Sequence, residues 1–182
     1  MLKRIVLSVM ALSLAAFVLI GCGGPPKEDM DKATMAMKKA VEAKADMYAK
    51  DMYEAGDKAM KEGAELVKKN EFDKAKAKYM EATKQFDAAA KAAPDAMNAM
   101  KAEVEKMIAD FETAWTAGEK DMMKKMGMAK KDDKAKMDKM MTDAKAKLAE
   151  AKEKATAGDY VAAKAAIEEA GKMHMEMMPA KK

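Results

Sequence analysis

The chain has 182 residues, of which 50% are hydrophobic, 36% are charged and 5% are aromatic, with 23 Met but a single Cys, His and Trp. Beyond residue 21 it contains no Ser and no Arg, which excludes serine-nucleophile hydrolysis and bidentate arginine recognition of phosphate. The lone Cys excludes an internal disulfide. The interspersed 35 basic and 31 acidic residues argue against nucleic-acid binding. This composition predicts a helical, exported protein that is not an enzyme.

The N-terminal segment, residues 1–21, predicts a removable export signal. Lys3 and Arg4 are followed by an apolar run over 5–20, in which only Ser8 and Ser13 are polar, and this run is shorter than the about 20 residues of a permanent membrane-spanning helix. Removal of the segment lowers the net charge from +4 to +2, because it contains two basic residues and no acid.

The apolar run ends in Leu19-Ile20-Gly21-Cys22, which resembles the lipobox of bacterial lipoproteins. The resemblance implies cleavage after Gly21, attachment of acyl chains such as palmitate to the thiol of Cys22, and acylation of its new amino group. Several acyl chains give stable anchoring to a bilayer, whereas one chain alone is marginal. An ordinary secretory signal with an incidental Cys is the alternative.

The residue after the lipobox indicates the destination membrane. An Asp at this place retains many such lipoproteins in the inner membrane, and this chain has Gly23 there. The resemblance therefore implies an outer-membrane protein of a Gram-negative bacterium that faces the periplasm. Residues 22–27 are expected to form the lipidated Cys and a flexible tether, because Gly and Pro disfavour helix.

From residue 28 onward the chain predicts an all-α fold, since Ala, Lys, Met, Glu and Asp dominate and no stretch alternates with a period of two. Apolar residues at spacings of three and four predict helices over 28–69 and 71–92 and a third helix that starts at Pro94. These amphipathic hairpins are expected to form an elongated bundle, a coiled coil or a tetratricopeptide-like pair. The predicted domains are a first helical hairpin (28–93), a middle helix and linker (94–133), a second helical hairpin (134–178) and a tail (179–182).

An internal repeat at an offset of 88 residues relates the two hairpins. Asn70-Glu71-Phe72 corresponds to Gly158-Asp159-Tyr160, and each copy is a helix, a tight turn and a second helix that opens with an aromatic residue. The spacing resembles the helix–turn–helix unit of tetratricopeptide repeats, in which small residues let two helices approach. The residues expected to pack the hairpins are Phe72, Ala75, Tyr79 and Ala82 in the first copy and Tyr160, Ala163, Ile167 and Ala170 in the second.

A second likeness depends on the segment Ala45-Asp46-Met47-Tyr48-Ala49-Lys50-Asp51-Met52. Followed by a helix and then by an aromatic-headed helix, it resembles the small helical domains of unknown function in envelope lipoproteins. This resemblance implies an envelope location and an accessory role, and it carries no catalytic residues.

The only His of the chain lies in a methionine-rich segment near the C-terminus. Thioethers suit Cu(I), and imidazole can join them as a ligand. The alternative is packing, because Met fills gaps in a core and the His continues the apolar line of Tyr160 and Ile167. No other cofactor is expected. The candidate Cu(I) ligands are Met173, His174, Met175, Met177 and Met178.

These patterns predict a membrane-anchored, periplasmic helical lipoprotein with a structural or protein-interaction role in the cell envelope. Its expected partners are the membrane, through the lipid on Cys22, and an unidentified envelope protein, and an oligomer is compatible with the sequence. One alternative is a copper-binding or metal-buffering lipoprotein. Another is a peptidoglycan tether through the C-terminal Lys182, because the chain resembles, in its lipobox, composition and last residue, the helical lipoprotein that is linked covalently to peptidoglycan.

Overall fold

A computed structural model of the chain describes residues 24–178. Within this range the fold is all-α, with six helices and no strand, which confirms the predicted fold class. No helix in the same range is both long enough and apolar enough to span a bilayer. The helices are α1 (Lys27–Glu42), α2 (Ala45–Tyr48), α3 (Lys50–Lys68), α4 (Phe72–Met128), α5 (Lys131–Thr156) and α6 (Tyr160–Met177).

The single helix predicted over 28–69 is interrupted twice, so that prediction is wrong. After α1, Lys44 adopts a left-handed conformation with a φ of 57°, and Ala49, with a φ of −131°, separates the one-turn helix α2 from α3. The 3/4 spacing of apolar residues continues across both interruptions, which is why periodicity does not reveal them. Burial stabilises the irregular backbone, since Ala45 is fully buried and Tyr48 is only 8% exposed.

The helix boundary predicted at Pro94 is also wrong, because α4 runs through this residue. A proline inside a helix removes one backbone donor and clashes with the preceding turn, at a cost of about 3 kcal/mol. The apolar face nevertheless continues on both sides of it. Ala89 and Ala93 are fully buried before the proline, and Val104 and Phe111 are buried after it. This continuous burial offsets the local cost, and the helix persists.

Pro94 still marks the division of the chain into two compact units. We call the described residues 24–94 unit 1 and the described residues 95–178 unit 2. Helix α4 contributes its first part to unit 1 and its second part to unit 2.

Unit 1 packs α1, α2 and α3 with the first part of α4, and its core pairs glycines with aromatic rings. A Cβ atom at Gly56 of α3 would lie 2.9 Å from the ring of Phe86, and one at Gly63 would lie 3.0 Å from the ring of Tyr79. Tyr53 adds an edge-on contact to Phe86, with ring centroids 5.3 Å apart. The two glycines therefore let the aromatic side chains of α4 lie directly on the backbone of α3.

Unit 2 packs the second part of α4 with α5 and α6. Two surface ion pairs join α4 to its neighbours: Lys152 to Glu112 at 2.5 Å and Lys164 to Glu103 at 2.7 Å. Exposed pairs of this kind contribute little to stability, so the apolar core holds the unit together. That core consists of Phe111, Trp115, Met122, Ala144, Ala151, Ala166, Ile167, Ala170 and Met177.

The hairpin turns of the two units share one backbone design. Asn70 and Gly158 both follow a helix and adopt positive φ values of 59° and 76°. In each turn the next residue, Glu71 or Asp159, donates its N–H to the carbonyl five residues earlier at 2.9 Å, which is the Schellman arrangement. The turns are 88 residues apart, so the internal repeat in the sequence has a structural counterpart at both positions.

Candidate functional site

The site that we consider surrounds His174, near the C-terminal end of α6 in unit 2. This side chain is only 7% exposed, and apart from Tyr and Trp it is the one buried polar side chain among residues 24–178. Two rings of α4 enclose it, with centroid distances of 5.8 Å to Phe111 and 5.6 Å to Trp115. Burial of a polar imidazole among apolar side chains costs free energy unless the ring gains a partner. The buried position of His174 therefore points to a role beyond packing.

One face of α4 forms the floor of this site. Phe111, Trp115, Gly118 and Met122 are spaced by four, three and four residues, which places them on the same side of a helix. A Cβ atom at Gly118 would lie 3.2 Å from Nε2 of His174 and 2.8 Å from Sδ of Met178. The backbone of α4 at Gly118 therefore faces both the imidazole nitrogen and the thioether sulfur.

The Nε2 atom of His174 is enclosed and has no hydrogen-bond partner in the described part of the chain. An unpaired buried polar atom costs about 1–3 kcal/mol. Burial also lowers the pKa of His174 below its ordinary value of 6.5, because the charged ring loses hydration. At neutral pH the ring is therefore uncharged and keeps a lone pair on one nitrogen.

Lys125 of α4 fixes the end of α6 next to this imidazole. Its Nζ donates to the carbonyl of Met177 at 3.0 Å and to that of Met178 at 3.4 Å. The N–H of Met178 in turn donates to the carbonyl of His174 at 3.2 Å. A cation at the C-terminal end of a helix also compensates the helix dipole. These bonds hold Met178 beside His174, although Met178 lies just beyond the last helical residue.

His174 also lines a groove of about 460 Å³ between α4 and α6 within unit 2. Apolar walls with a few charged groups are typical of binding sites for small or apolar ligands. The remaining lining residues are Met107, Asp110, Phe111, Ala114, Ile167, Glu168, Gly171, Lys172 and Met175.

The structure separates most of the predicted Cu(I) ligands from one another. Met175 is 68% exposed, whereas Met177 is 1% exposed inside the core. Met173 is half-buried and packs against the same core. Neighbouring residues of a helix point in different directions, so a run of methionines does not converge on one point. His174 and Met178 are the pair that meets, at the glycine of α4.

Two residues of this site were missed by reasoning from sequence alone. Gly118 follows Trp115 by three residues on the same apolar face, and a glycine on such a face signals a close approach. Lys125 continues the same face by a further seven residues. The offset of 88 residues also pairs Phe86 of unit 1 with His174 of unit 2, which marks His174 as a departure from the repeat.

The residues predicted to pack the hairpins are buried or half-buried in their own units. The aromatic residues that open the second helix of each hairpin are half-buried at the turns, and the others are buried. Ala75, Ala82, Ala163 and Ala170 are fully buried, Tyr79 and Ile167 are 2% exposed, and Phe72 and Tyr160 are half-buried.

Three predicted residues lie outside the described part of the chain: Gly21, Cys22 and Lys182. Cleavage, lipidation and attachment to peptidoglycan therefore stay predictions. Within residues 24–178, no group of three or more His, Cys, Asp or Glu side chains is arranged to hold a metal ion. A carboxylate-rich site for a hard divalent cation has no support in that range.

No family model, no curated protein sequence and no solved structure matches the chain. The function must therefore be argued from the residues and their geometry.

Proposed function

We propose that the protein is a lipid-anchored, helical component of a bacterial cell envelope that acts by binding other proteins. In this proposal Cys22 holds it to the outer membrane, the residues between Cys22 and the start of α1 give it reach into the periplasm, and the helical units present the binding surfaces. The anchor is supported by the lipobox-like sequence, and the binding role is supported by the surface of the described helices.

The observation that carries the binding role is the exposure of methionine. A helix that needs only to be solvated can carry Lys, Glu or Gln at such positions with similar helix propensity. Met is flexible and polarisable, and it is common on surfaces that adapt to protein partners. Among residues 24–178, eight methionines are more than a third exposed: Met30, Met35, Met47, Met52, Met80, Met123, Met128 and Met175.

Site-specific photo-crosslinking in intact cells tests the binding role. A photoreactive amino acid replaces Met35, which is 55% exposed, or Met123, which is 54% exposed. The matched controls are the exposed lysines Lys38 and Lys124 on the same two helices. We expect discrete adducts of defined mass from the methionine positions and weaker adducts from the lysine positions. Equal labelling at all four positions, or no adduct at any of them, would overturn the binding role.

The anchor is tested separately with the Cys22→Ser variant. We expect mass spectrometry of the wild-type N-terminal peptide to show acyl chains on Cys22, and fractionation to place the protein with outer membranes. The Ser variant should leave the membrane fraction and lose the methionine crosslinks if the partner is an envelope protein. Recovery of the wild-type protein without acyl chains would contradict the proposed anchor.

A further inference from the structure

We propose that His174 and Met178 form a binding site for a soft monovalent metal ion, Cu(I) in chemical class, against Gly118 of α4. The site lies within unit 2 and does not depend on the protein-binding function proposed above. It assigns a ligand of defined chemistry to a buried nitrogen that has no partner among the described residues.

The first argument is the free lone pair of His174. The ring is enclosed by Phe111 and Trp115, and its Nε2 lies in the protein interior without a hydrogen bond. In the tautomer that carries its proton on Nδ1, Nε2 keeps a lone pair that it can donate to a metal. A coordinate bond would offset the cost of the unpaired atom.

The second argument is the position of the sulfur. Nε2 of His174 and Sδ of Met178 lie 3.2 Å and 2.8 Å from the same point, the place of a Cβ atom on Gly118. The two atoms are therefore at most about 6 Å apart, and a metal with bonds of about 2.3 Å to sulfur and about 2.0 Å to nitrogen needs roughly 4 Å between them. Met178 follows the end of α6, and its three rotatable bonds let the sulfur adjust by this amount.

The third argument is charge and softness. A thioether and a neutral imidazole bring no negative charge, and the rings of Phe111 and Trp115 flank the imidazole, while the charged side chains Asp110, Glu168 and Lys172 line the adjacent groove. Burial of a divalent cation with two neutral ligands would leave its charge uncompensated, whereas a monovalent ion costs less to bury. Thioether ligands also select Cu(I) over harder cations. The pair therefore fits a soft monovalent ion better than Zn²⁺ or Ca²⁺.

The fourth argument is an internal comparison. The position equivalent to His174 in the first repeat is Phe86, which is fully buried and rests on Gly56 through carbon atoms alone. The hairpin repeat therefore accepts a hydrocarbon ring at this place. Packing at this position does not require a ring nitrogen. A role in metal coordination explains why unit 2 has a histidine where unit 1 has a phenylalanine.

Anaerobic titration of the purified protein with Cu(I), in competition with a chromophoric Cu(I) chelator, tests the site. His174 is the only His of the chain, so ¹⁵N NMR of the imidazole follows this one ring. We expect one tight equivalent of Cu(I), a shift of the Nε2 resonance, and quenching of Trp115, the only Trp, whose ring lies 5.6 Å from His174.

Four variants separate this site from general binding to methionine. His174→Phe, which introduces the residue of the first repeat, and Met178→Leu should each weaken Cu(I) binding by at least about tenfold. Gly118→Ala should also weaken it, because its Cβ would take the space beside the sulfur. Met175→Leu is the matched control, since Met175 lies in the same segment but is 68% exposed, and its affinity should equal that of the wild type.

Two outcomes would overturn the proposal. In the first, Met175→Leu and Met178→Leu lose affinity equally, which would indicate diffuse binding by thioethers. In the second, the Nε2 resonance does not move with Cu(I), as expected if a buried water molecule is its partner. Circular dichroism of each variant verifies that the helices are intact. The crosslinking experiment is independent, so either proposal can fail alone.

Discussion

Units 1 and 2 contain the same hairpin repeat but differ at one equivalent position. Residue 86 in unit 1 is Phe, and residue 174, which is 88 positions later, is His. Both side chains are buried. Phe86 fills its place through apolar contacts over Gly56, whereas His174 leaves Nε2 without a partner in the described residues. The hairpin therefore carries a buried ring at this position in both units, and a ring without nitrogen is sufficient for packing.

The small residue that faces the ring also differs between the units. In unit 1 it is Gly56 on α3, the hairpin partner of α4. In unit 2 the position equivalent to Gly56 is Ala144, which is fully buried, and the glycine that faces His174 is Gly118 of α4. The repeat therefore fixes the hairpin of α5 and α6, while α4 supplies the floor under His174.

The largest expected effect concerns Phe86. Phe86→Ala should lower the free energy of unfolding by about 3–5 kcal/mol, because it leaves a cavity where a fully buried ring lies over Gly56. Denaturant titration followed by circular dichroism measures the loss. Met80→Ala on the same helix is the control, since Met80 is 56% exposed, and it should cost less than about 1 kcal/mol. Equal losses would mean that Phe86 does not carry the packing of unit 1.

The glycines of the two units should respond to alanine with opposite signs. At Gly56 the new Cβ would meet ring carbons of the fully buried Phe86 at 2.9 Å, so Gly56→Ala should destabilise by about 1–3 kcal/mol through overpacking. At Gly118 it would meet the far end of the flexible Met178 side chain at 2.8 Å and Nε2 of His174 at 3.2 Å, and the thioether can adopt another rotamer. Gly118→Ala should therefore stabilise by up to about 1 kcal/mol, because alanine favours helix. Thermal melts of both variants test this, and the same sign in both would contradict the comparison.

Much of this fold follows from local patterns in the sequence. Residues with high helix propensity and a 3/4 apolar spacing predict the helices, and Asn70 and Gly158 predict the two turns because both residue types tolerate positive φ. The interruption at Lys44 was not predictable, since lysine carries no turn signal. The continuity of α4 through Pro94 was not predictable either, because it depends on burial contributed by other helices.

The candidate site was predictable only in part. The sequence singled out His174 and its neighbouring methionines, but which of them converge depends on the direction of each side chain. Met178 lies four residues after His174, a spacing that brings neighbours together on a helix, and Lys125, 53 residues earlier in the chain, bonds the carbonyl of Met178. Such a contact between distant parts of the sequence has no local signature.

A smaller effect on stability is expected from His174→Phe, which places in unit 2 the residue found at the equivalent position 86 of unit 1. The variant removes a buried unpaired nitrogen, so it should raise the free energy of unfolding at pH 7 by about 1 kcal/mol. Denaturant titration in metal-free buffer measures the difference. A marked loss of stability would show that Nε2 makes a bond that the variant cannot replace.

The stabilities of the wild type and the His174→Phe variant should depend differently on pH. The pKa of His174 is lower in the folded chain than its ordinary value of 6.5, so below about pH 6.5 the unfolded chain binds a proton that the folded chain does not. The stability of the wild type should therefore fall as the pH decreases from 6.5 toward the folded pKa. The Phe variant lacks this loss, and the gap between the two proteins should widen in this range.

The other charged groups near His174 are present in both the wild type and the Phe variant. The difference between their stabilities at each pH therefore reports on the imidazole alone. Lys125 is bonded at the end of α6, and Lys145 lies 5.4 Å from the centre of the Trp115 ring. Asp110, Glu168 and Lys172 line the groove. The surface glutamates Glu62 and Glu169, whose pKa is lowered from the ordinary value of 4.5, lose their ion pairs in a more acidic range. Parallel stability curves for the two proteins between pH 7 and 5 would contradict the prediction.

The smallest effect on stability is expected from two ion-pair networks, one in each unit, at positions that the repeat does not relate. Lys78 bonds a carboxylate of α3 and one of its own helix, both at 2.8 Å, and Lys147 bonds a carboxylate of α6 and one of its own helix, both at 2.9 Å. These bonds raise the pKa of both lysines above the ordinary 10.5, so their contribution is present below pH 10.5 and lost at higher pH. Lys78→Gln and Lys147→Gln should lower the melting temperature slightly and by similar amounts at low salt, and less at high salt, because exposed pairs are screened. A large fall of the melting temperature in only one of the two variants would show that one unit depends on its ion pairs and the other does not.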